Sequence, residues 1–84
     1  MTVEVTLYTR AGCHLCEDAR TALDTLARDL PIEVTAVDVD LDLELLRRFN
    51  DLVPVIAVAD EIVTSAPIDL GAIRSAIGSA ASVR

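Results

Sequence analysis

The sequence predicts an α/β fold in the order β-α-β-α-β-β-α, with a four-stranded mixed sheet flanked by helices. Three observations predict it. An alternating, β-branched opening stretch reads as a strand, and it is followed at once by a run of apolar residues at helical spacing. Near the end, two further β-type runs are separated by only two residues, the spacing of a hairpin.

The elements follow in order. "TVEVTLY", Thr2 to Tyr8, is the first strand. In "CHLCEDARTALDTLARDL", Leu15, Ala19, Leu23, Leu26 and Leu30 form one stripe, so an amphipathic helix begins at or beside Cys13 and Pro31 stops it. "IEVTAVDVD", Ile32 to Asp40, is the second strand, and its phase slips at Ala36-Val37 as in a strand covered on both faces. A right-handed crossover sets it parallel to the first. Asp40 or Asp42 caps a short helix whose inner side is Leu45, Leu46 and Phe49. "VPVIAV" and "EIVTS" pair antiparallel about a turn at Ala59-Asp60. "APIDLGAIRSAIG" closes the fold as a helix with Pro67 near its first turn, Leu70, Ile73 and Ile77 inward and Gly78 at its end. One domain therefore spans residues 1–78, and 79–84 form a flexible tail.

A chain of 84 residues has room for one core. With 52% hydrophobic but only 2% aromatic residues, that core is built from Leu, Ile, Val and Ala. No stretch approaches the apolar length of a membrane span, and no basic-then-apolar leader opens the chain, so a cytoplasmic protein is expected. The net charge is −7 and, of the seven arginines, only Arg47 and Arg48 adjoin, which argues against a nucleic-acid partner. A monomer is the expected state.

The chemistry is concentrated in the only two cysteines, Cys13 and Cys16, with His14 and Leu15 between them. Two thiols at this spacing form a short disulfide, hold half of a metal site, or coincide. A zinc site within one chain needs four ligands, and Cys13, Cys16 and His14 are the only Cys and His here. Position adds weight to the redox alternative: Cys13 lies where a strand hands over to a helix, and unpaired N–H groups at a helix N-terminus favour a thiolate. Cys16 lies one turn on, able to reach back. His14, when protonated, would favour that thiolate further, and Arg10 would steady it or an anionic substrate. Tyr8 is either a strand residue or a substrate contact.

The element order, the "CHLC" at the first strand–helix junction and the "VPV" before the hairpin resemble the thioredoxin superfamily. Within it, "LYTRAGCHLCEDA" resembles the short glutaredoxin-like proteins of bacteria. That resemblance implies a thioredoxin-like fold, Cys13 as nucleophile, Cys16 as resolving thiol, and a cis Val53-Pro54 peptide beside them. The backbone of Val53 would pair with substrate. The implied activity is thiol–disulfide oxidoreduction, carried by a Cys13–Cys16 disulfide without a further cofactor. The partners would be a disulfide-containing protein or low-molecular-weight thiol, with a reductase or small thiol as electron donor.

Glutathione is the ligand the family would suggest, yet the sequence departs from the family's pattern where glutathione binds. The stretch that carries a glycine pair in glutaredoxins reads "TSAPIDLG" here, with only Asp69 in common, and Leu52 stands where a basic residue is expected. Two other readings compete: a homodimer pooling its thiolates around zinc or a [2Fe-2S] cluster, and an accessory domain with little turnover.

Overall fold

The computed structural model describes residues 2–82 of the chain. They form β1 (Val3–Thr9), α1 (His14–Asp29), β2 (Ile32–Asp38), a single 3-10 turn (Val39–Leu41), α2 (Leu43–Phe49), β3 (Val55–Val58), β4 (Glu61–Ser65) and α3 (Leu70–Ser82). The four strands lie in the order β2-β1-β3-β4, with β1 parallel to β2 and antiparallel to β3, and β3 antiparallel to β4. This is the expected mixed sheet. Among the described residues, no helix is long and apolar enough to cross a membrane.

Alternation along β1 explains the layering. Val3, Val5 and Leu7 point to one face and pack with Ala19, Leu23 and Leu26 of α1, Ile56 and Val58 of β3, and Ile73 and Ile77 of α3. The opposite face carries a smaller cluster of Val39, Phe49 and Val55, against which Tyr8, Leu45, Leu46 and Val53 pack. Thus α1 and α3 cover one side of the sheet and α2 the other, and β3 between them is buried along its whole length.

Local chemistry sets the ends of α1 and α2. Cys13 is the N-cap of α1, and the chain leaves helical geometry at Leu30, just before Pro31. Asp42, rather than Asp40, caps α2: its Oδ1 accepts from the Glu44 and Leu45 N–H groups at 2.9 and 3.3 Å. Asp38 caps the preceding 3-10 turn in the same way, accepting from the Asp40 N–H at 2.9 Å. The hairpin turns on Ala59 and Asp60 with φ of 50° and 69°, both in the left-handed region that a two-residue hairpin loop demands. Ala57 pairs with Ile62 but Ile56 with Thr64, so Val63 is an extra, bulged residue.

Several expectations are corrected. β2 ends at Asp38 and is an edge strand with Thr35 and Ala36 exposed, not one covered on both faces. Its slip in phase has another cause: Ile32 and Val34 serve the α1 face, whereas Val39 belongs to the cluster under α2. On α1, Leu15 is 57% exposed and Cys16, at 2%, takes its place in the buried stripe. Leu70 is likewise 43% exposed.

The last helix is displaced toward the C-terminus. Asp69 caps it, with Oδ1 accepting from the Ala72 N–H at 3.0 Å, so Pro67 lies before the helix, in a cis peptide with Ala66. α3 also runs through Gly78 to Ser82, so residues 79–82 are helical rather than a loose tail, and 83–84 lie outside the described residues. One glycine costs a helix interior only about 1 kcal/mol, and the alanines that follow are the best helix formers. Ala80 packs against the core.

Candidate active site

The strand-to-helix junction after β1 is built around Gly12 and Cys13. Gly12 has φ of 74°, a left-handed conformation that needs glycine, and it turns the chain so that α1 starts at the next residue but one. The Sγ of Cys13 accepts the Cys16 N–H at 3.1 Å, which places the sulfur on the positive end of the helix dipole. Cys13 and Cys16 are joined as a disulfide with Cα atoms 5.2 Å apart. Their burial is unequal: Cys13 is half-buried, while Cys16 is 2% exposed beneath it.

The second element is the Val53-Pro54 peptide, which is cis. It leads into β3. The Val53 N–H donates to the Phe49 carbonyl at 3.2 Å, anchoring the segment to the end of α2, and the Pro54 ring is fully buried. Pro54 and Leu15, which lies between the two cysteines in the chain, line one apolar groove of about 500 Å³. Its walls are Leu15, Ala19 and Ala22 of α1 on one side and Pro54, Pro67 and Ile68 on the other. The exposure of Leu15 and Leu70 is explained by this groove, which both residues border.

The other sequence candidates fall in three different places. The His14 side chain is 87% exposed on the first turn of α1, with Nε2 3.7 Å from the Asp18 carboxylate, too long for a hydrogen bond. Tyr8 lies on the α2 face of the sheet, its ring centroid 4.7 Å from that of Phe49, and is not among the groove residues. Arg10 reaches away from the sulfurs. It donates to the Asp40 carboxylate at 2.6 and 3.4 Å and to the carbonyl and side-chain oxygens of Asn50, both at 3.2 Å.

Arg10 thus ties the loop that carries Cys13 to the 3-10 turn and to the segment that leads into Val53-Pro54. Neither Asp40 nor Asn50 is suggested by the sequence as its partner, because they stand 30 and 40 residues away. The groove wall from Ala66 to Leu70 is equally hidden in the sequence, and its one signal is the apolar content of "APIDL" just before the last helix. Among the described residues, no three of His, Cys, Asp and Glu are gathered as ligands of one metal ion.

The Arg10 hydrogen bond holds Asp40 below the ordinary carboxylate range, against some desolvation and with help from the Arg10 charge. The same hydrogen bond, opposed by desolvation and helped by the charges of Asp40, Asp38 and Asp51, raises Arg10. A carboxylate with a depressed folded pKa stabilises the fold above its unfolded value, near ~3.9, and that contribution is lost as pH falls through the folded value. Asp40→Asn is therefore expected to be less stable than the parent in urea at pH 7. The gap should shrink as pH falls below the unfolded carboxylate value of about 3.9 and narrow in high salt. A gap independent of pH would mean that the carboxylate's charge plays no part.

Comparison with known proteins bears on this geometry. The family model described as Glutaredoxin-like domain (DUF836) matches residues 4–78, nearly the whole chain. The chain belongs to this glutaredoxin-like family. Its match takes in both cysteines, the cis proline and the groove. The solution structure of protein Ne2328 from Nitrosomonas europaea is similar at 29% identity, covering 87% of this chain and 88% of that one, with a TM-score of 0.79. The X-ray structure of XcR50 from X. campestris is also 29% identical, over 89% of this chain and 96% of that one, with a TM-score of 0.66. A mutant thioredoxin from Halobacterium salinarum shares the fold at 22% identity, covering 98% of this chain and 77% of that one, with a TM-score of 0.72. No curated protein matches the sequence. A glutaredoxin-like chain with a C-x-x-C pair in a thioredoxin-like fold points to thiol redox chemistry.

Proposed function

We propose that this glutaredoxin-like chain is a dithiol oxidoreductase that reduces disulfides in proteins or small molecules. The observation that carries the reading is the unequal burial of the two sulfurs, half-buried Cys13 at the helix N-cap and Cys16 sealed behind it. The half-buried cysteine meets substrate, and the hidden one meets only its neighbour.

In the reduced protein the Cys13 thiolate attacks one sulfur of the substrate disulfide. That bond breaks, a mixed disulfide forms on Cys13, and the first substrate thiolate leaves. Cys16 then loses its proton and attacks the Cys13 sulfur, which releases the second substrate thiolate and closes the Cys13–Cys16 disulfide. Two electrons have passed to the substrate, and a small thiol or a reductase returns them. Helix N–H groups at Cys13 favour the attacking thiolate, and His14⁺ on the first turn would add to them. Val53, whose N–H is taken by the Phe49 carbonyl, offers its own carbonyl to an incoming chain, and Arg10 holds the two halves of the site in register. No further cofactor is invoked, and one copy of the chain suffices. Work as a reductant suits the cytoplasm, where dithiols are kept reduced.

The test is the redox potential of the pair, measured by equilibrating the protein in graded dithiol buffers and counting free thiols. A reversible two-electron transition between about −180 and −280 mV is expected, the range of exchange catalysts. Absence of a reversible transition would overturn the proposal.

A further inference from the structure

Charge around the disulfide is unevenly neutralised. Arg10 stands shortly before Cys13 in the chain and Arg20 shortly after Cys16, and each is committed to a carboxylate. Arg20 lies 3.2 Å from Asp24, one turn along α1, and Arg10 lies 2.6 Å from Asp40. The acids nearby are not matched in the same way. Among the described residues, Glu17 and Asp51 meet no basic side chain, and Asp18 meets only His14, at 3.7 Å.

The hold on Arg10 comes from both ends of its guanidinium. Nε and Nη2 donate to the two carboxylate oxygens of Asp40, the two-pronged arrangement that makes arginine–carboxylate pairs strong. Nη1 donates to the carbonyl and to the side-chain oxygen of Asn50. The Arg10 side chain is only 31% exposed, and Asp38 and Asp51 add to the negative field around it. An arginine so near Cys13 in the chain is long enough to meet an anion at the sulfurs, and these partners turn it away from them.

From this arrangement we infer that Asp40 is a positioning residue that sets charge selectivity: by holding Arg10 away from the disulfide, it causes cationic and neutral disulfides to be reduced in preference to anionic ones. The inference rests on the oxidoreductase reading and names the substrate class for that same site. A disulfide flanked by lysine or arginine belongs to the favoured class, and one crowded with carboxylates to the disfavoured class. The net charge of −7 works in the same direction, but it is spread over the surface and screened beyond about 8 Å, whereas the Arg10–Asp40 pair lies at the redox loop.

The experiment oxidises the reduced protein with three small disulfides of similar size: cationic cystamine, neutral 2-hydroxyethyl disulfide and anionic 3,3′-dithiodipropionate. Each exchange consumes one disulfide, releases two substrate thiols and closes Cys13–Cys16, so the rate is read from the loss of protein thiols. Dividing by the rate of dithiothreitol with the same disulfide removes intrinsic differences in reactivity. The wild type is expected to favour cystamine over dithiodipropionate by about tenfold at low salt, and by less at high salt.

Asp40→Ala is expected to raise the ratio of the dithiodipropionate rate to the cystamine rate about fivefold, because it removes an anion and frees a cation together. Asp51→Asn removes a charge but frees none, and should change the ratio about twofold or less. Adding Arg10→Gln to Asp40→Ala should return the ratio to the wild-type value. A merely structural loss slows all three disulfides alike and leaves the ratio unmoved. Asp40→Asn takes the place of the alanine variant if circular dichroism shows that the latter does not fold.

Three results would each overturn the inference: no charge preference in the wild type, an Asp40 effect no larger than that of Asp51→Asn, or a gain that survives the loss of Arg10. All three require exchange to occur, so they leave the oxidoreductase reading standing. Failure of every disulfide to oxidise the wild type would sink that reading and the inference with it.

Discussion

Cys16→Ser is expected to trap substrate as a mixed disulfide on Cys13, whereas Cys13→Ser is expected to trap nothing and to lose disulfide reduction by roughly a thousandfold or more. The difference comes from burial. Cys13 is half-buried at the N-cap, where its Sγ already accepts the Cys16 N–H, so its thiolate is both stabilised and within reach of another molecule. Cys16 is 2% exposed and packs under the first turn of α1, so a substrate disulfide cannot approach it in line. With Cys16 gone, the first exchange still proceeds, and its product has no internal thiol to release it. Non-reducing electrophoresis and mass spectrometry after reaction with a disulfide-bonded protein read the adduct directly. Equal trapping by both variants would show that the difference in burial does not assign the roles. Sustained turnover of Cys16→Ser with added glutathione would replace the dithiol mechanism by a single-thiol one.

The second large effect is on stability. Leu23→Ala is expected to cost about 2–5 kcal/mol, because the side chain is fully buried where α1 meets the sheet and its loss leaves a cavity among Val5, Leu7, Leu26 and Ile73. A domain of 84 residues has roughly 4–13 kcal/mol in total, so the variant loses a large share of its fold. Leu15→Ala is the matched control. It removes the same atoms from the same helix, but from a residue that is 57% exposed, and should cost under about 1 kcal/mol. Urea midpoints at an unchanged slope measure both. Similar losses at the two positions would mean that the groove face of α1 is as tightly packed as its sheet face.

That pair of leucines also shows where sequence reasoning loses its hold. Both sit on one helical stripe by spacing, and spacing cannot tell that in the first turn Cys16 takes the buried place and leaves Leu15 to border the groove. Arg10 makes the same point in polar form. Its place three residues before Cys13 suggests a thiolate partner, while its hydrogen bonds go to Asp40 and Asn50. The cis Val53-Pro54 peptide, by contrast, was legible through the resemblance, and the Ala59-Asp60 turn was legible from two β-type runs two residues apart.

By itself, then, the sequence determined the order of strands and helices, the start of α1 at Cys13, the parallel crossover and the pairing of the two cysteines' positions across one helical turn. Each depends on contacts within a few residues: i to i+4 hydrogen bonds, capping, alternation, and the chirality of one connection. Only the tertiary structure decided that β2 is an edge, that Cys16 is buried while Leu15 is not, that Arg10 clamps two distant turns, and that Leu15, Pro54 and Leu70 enclose a groove beside the disulfide. These depend on how elements dozens of residues apart are laid against one another, and the apolar pattern of each element is the same whether its face meets the sheet or is left open to a partner.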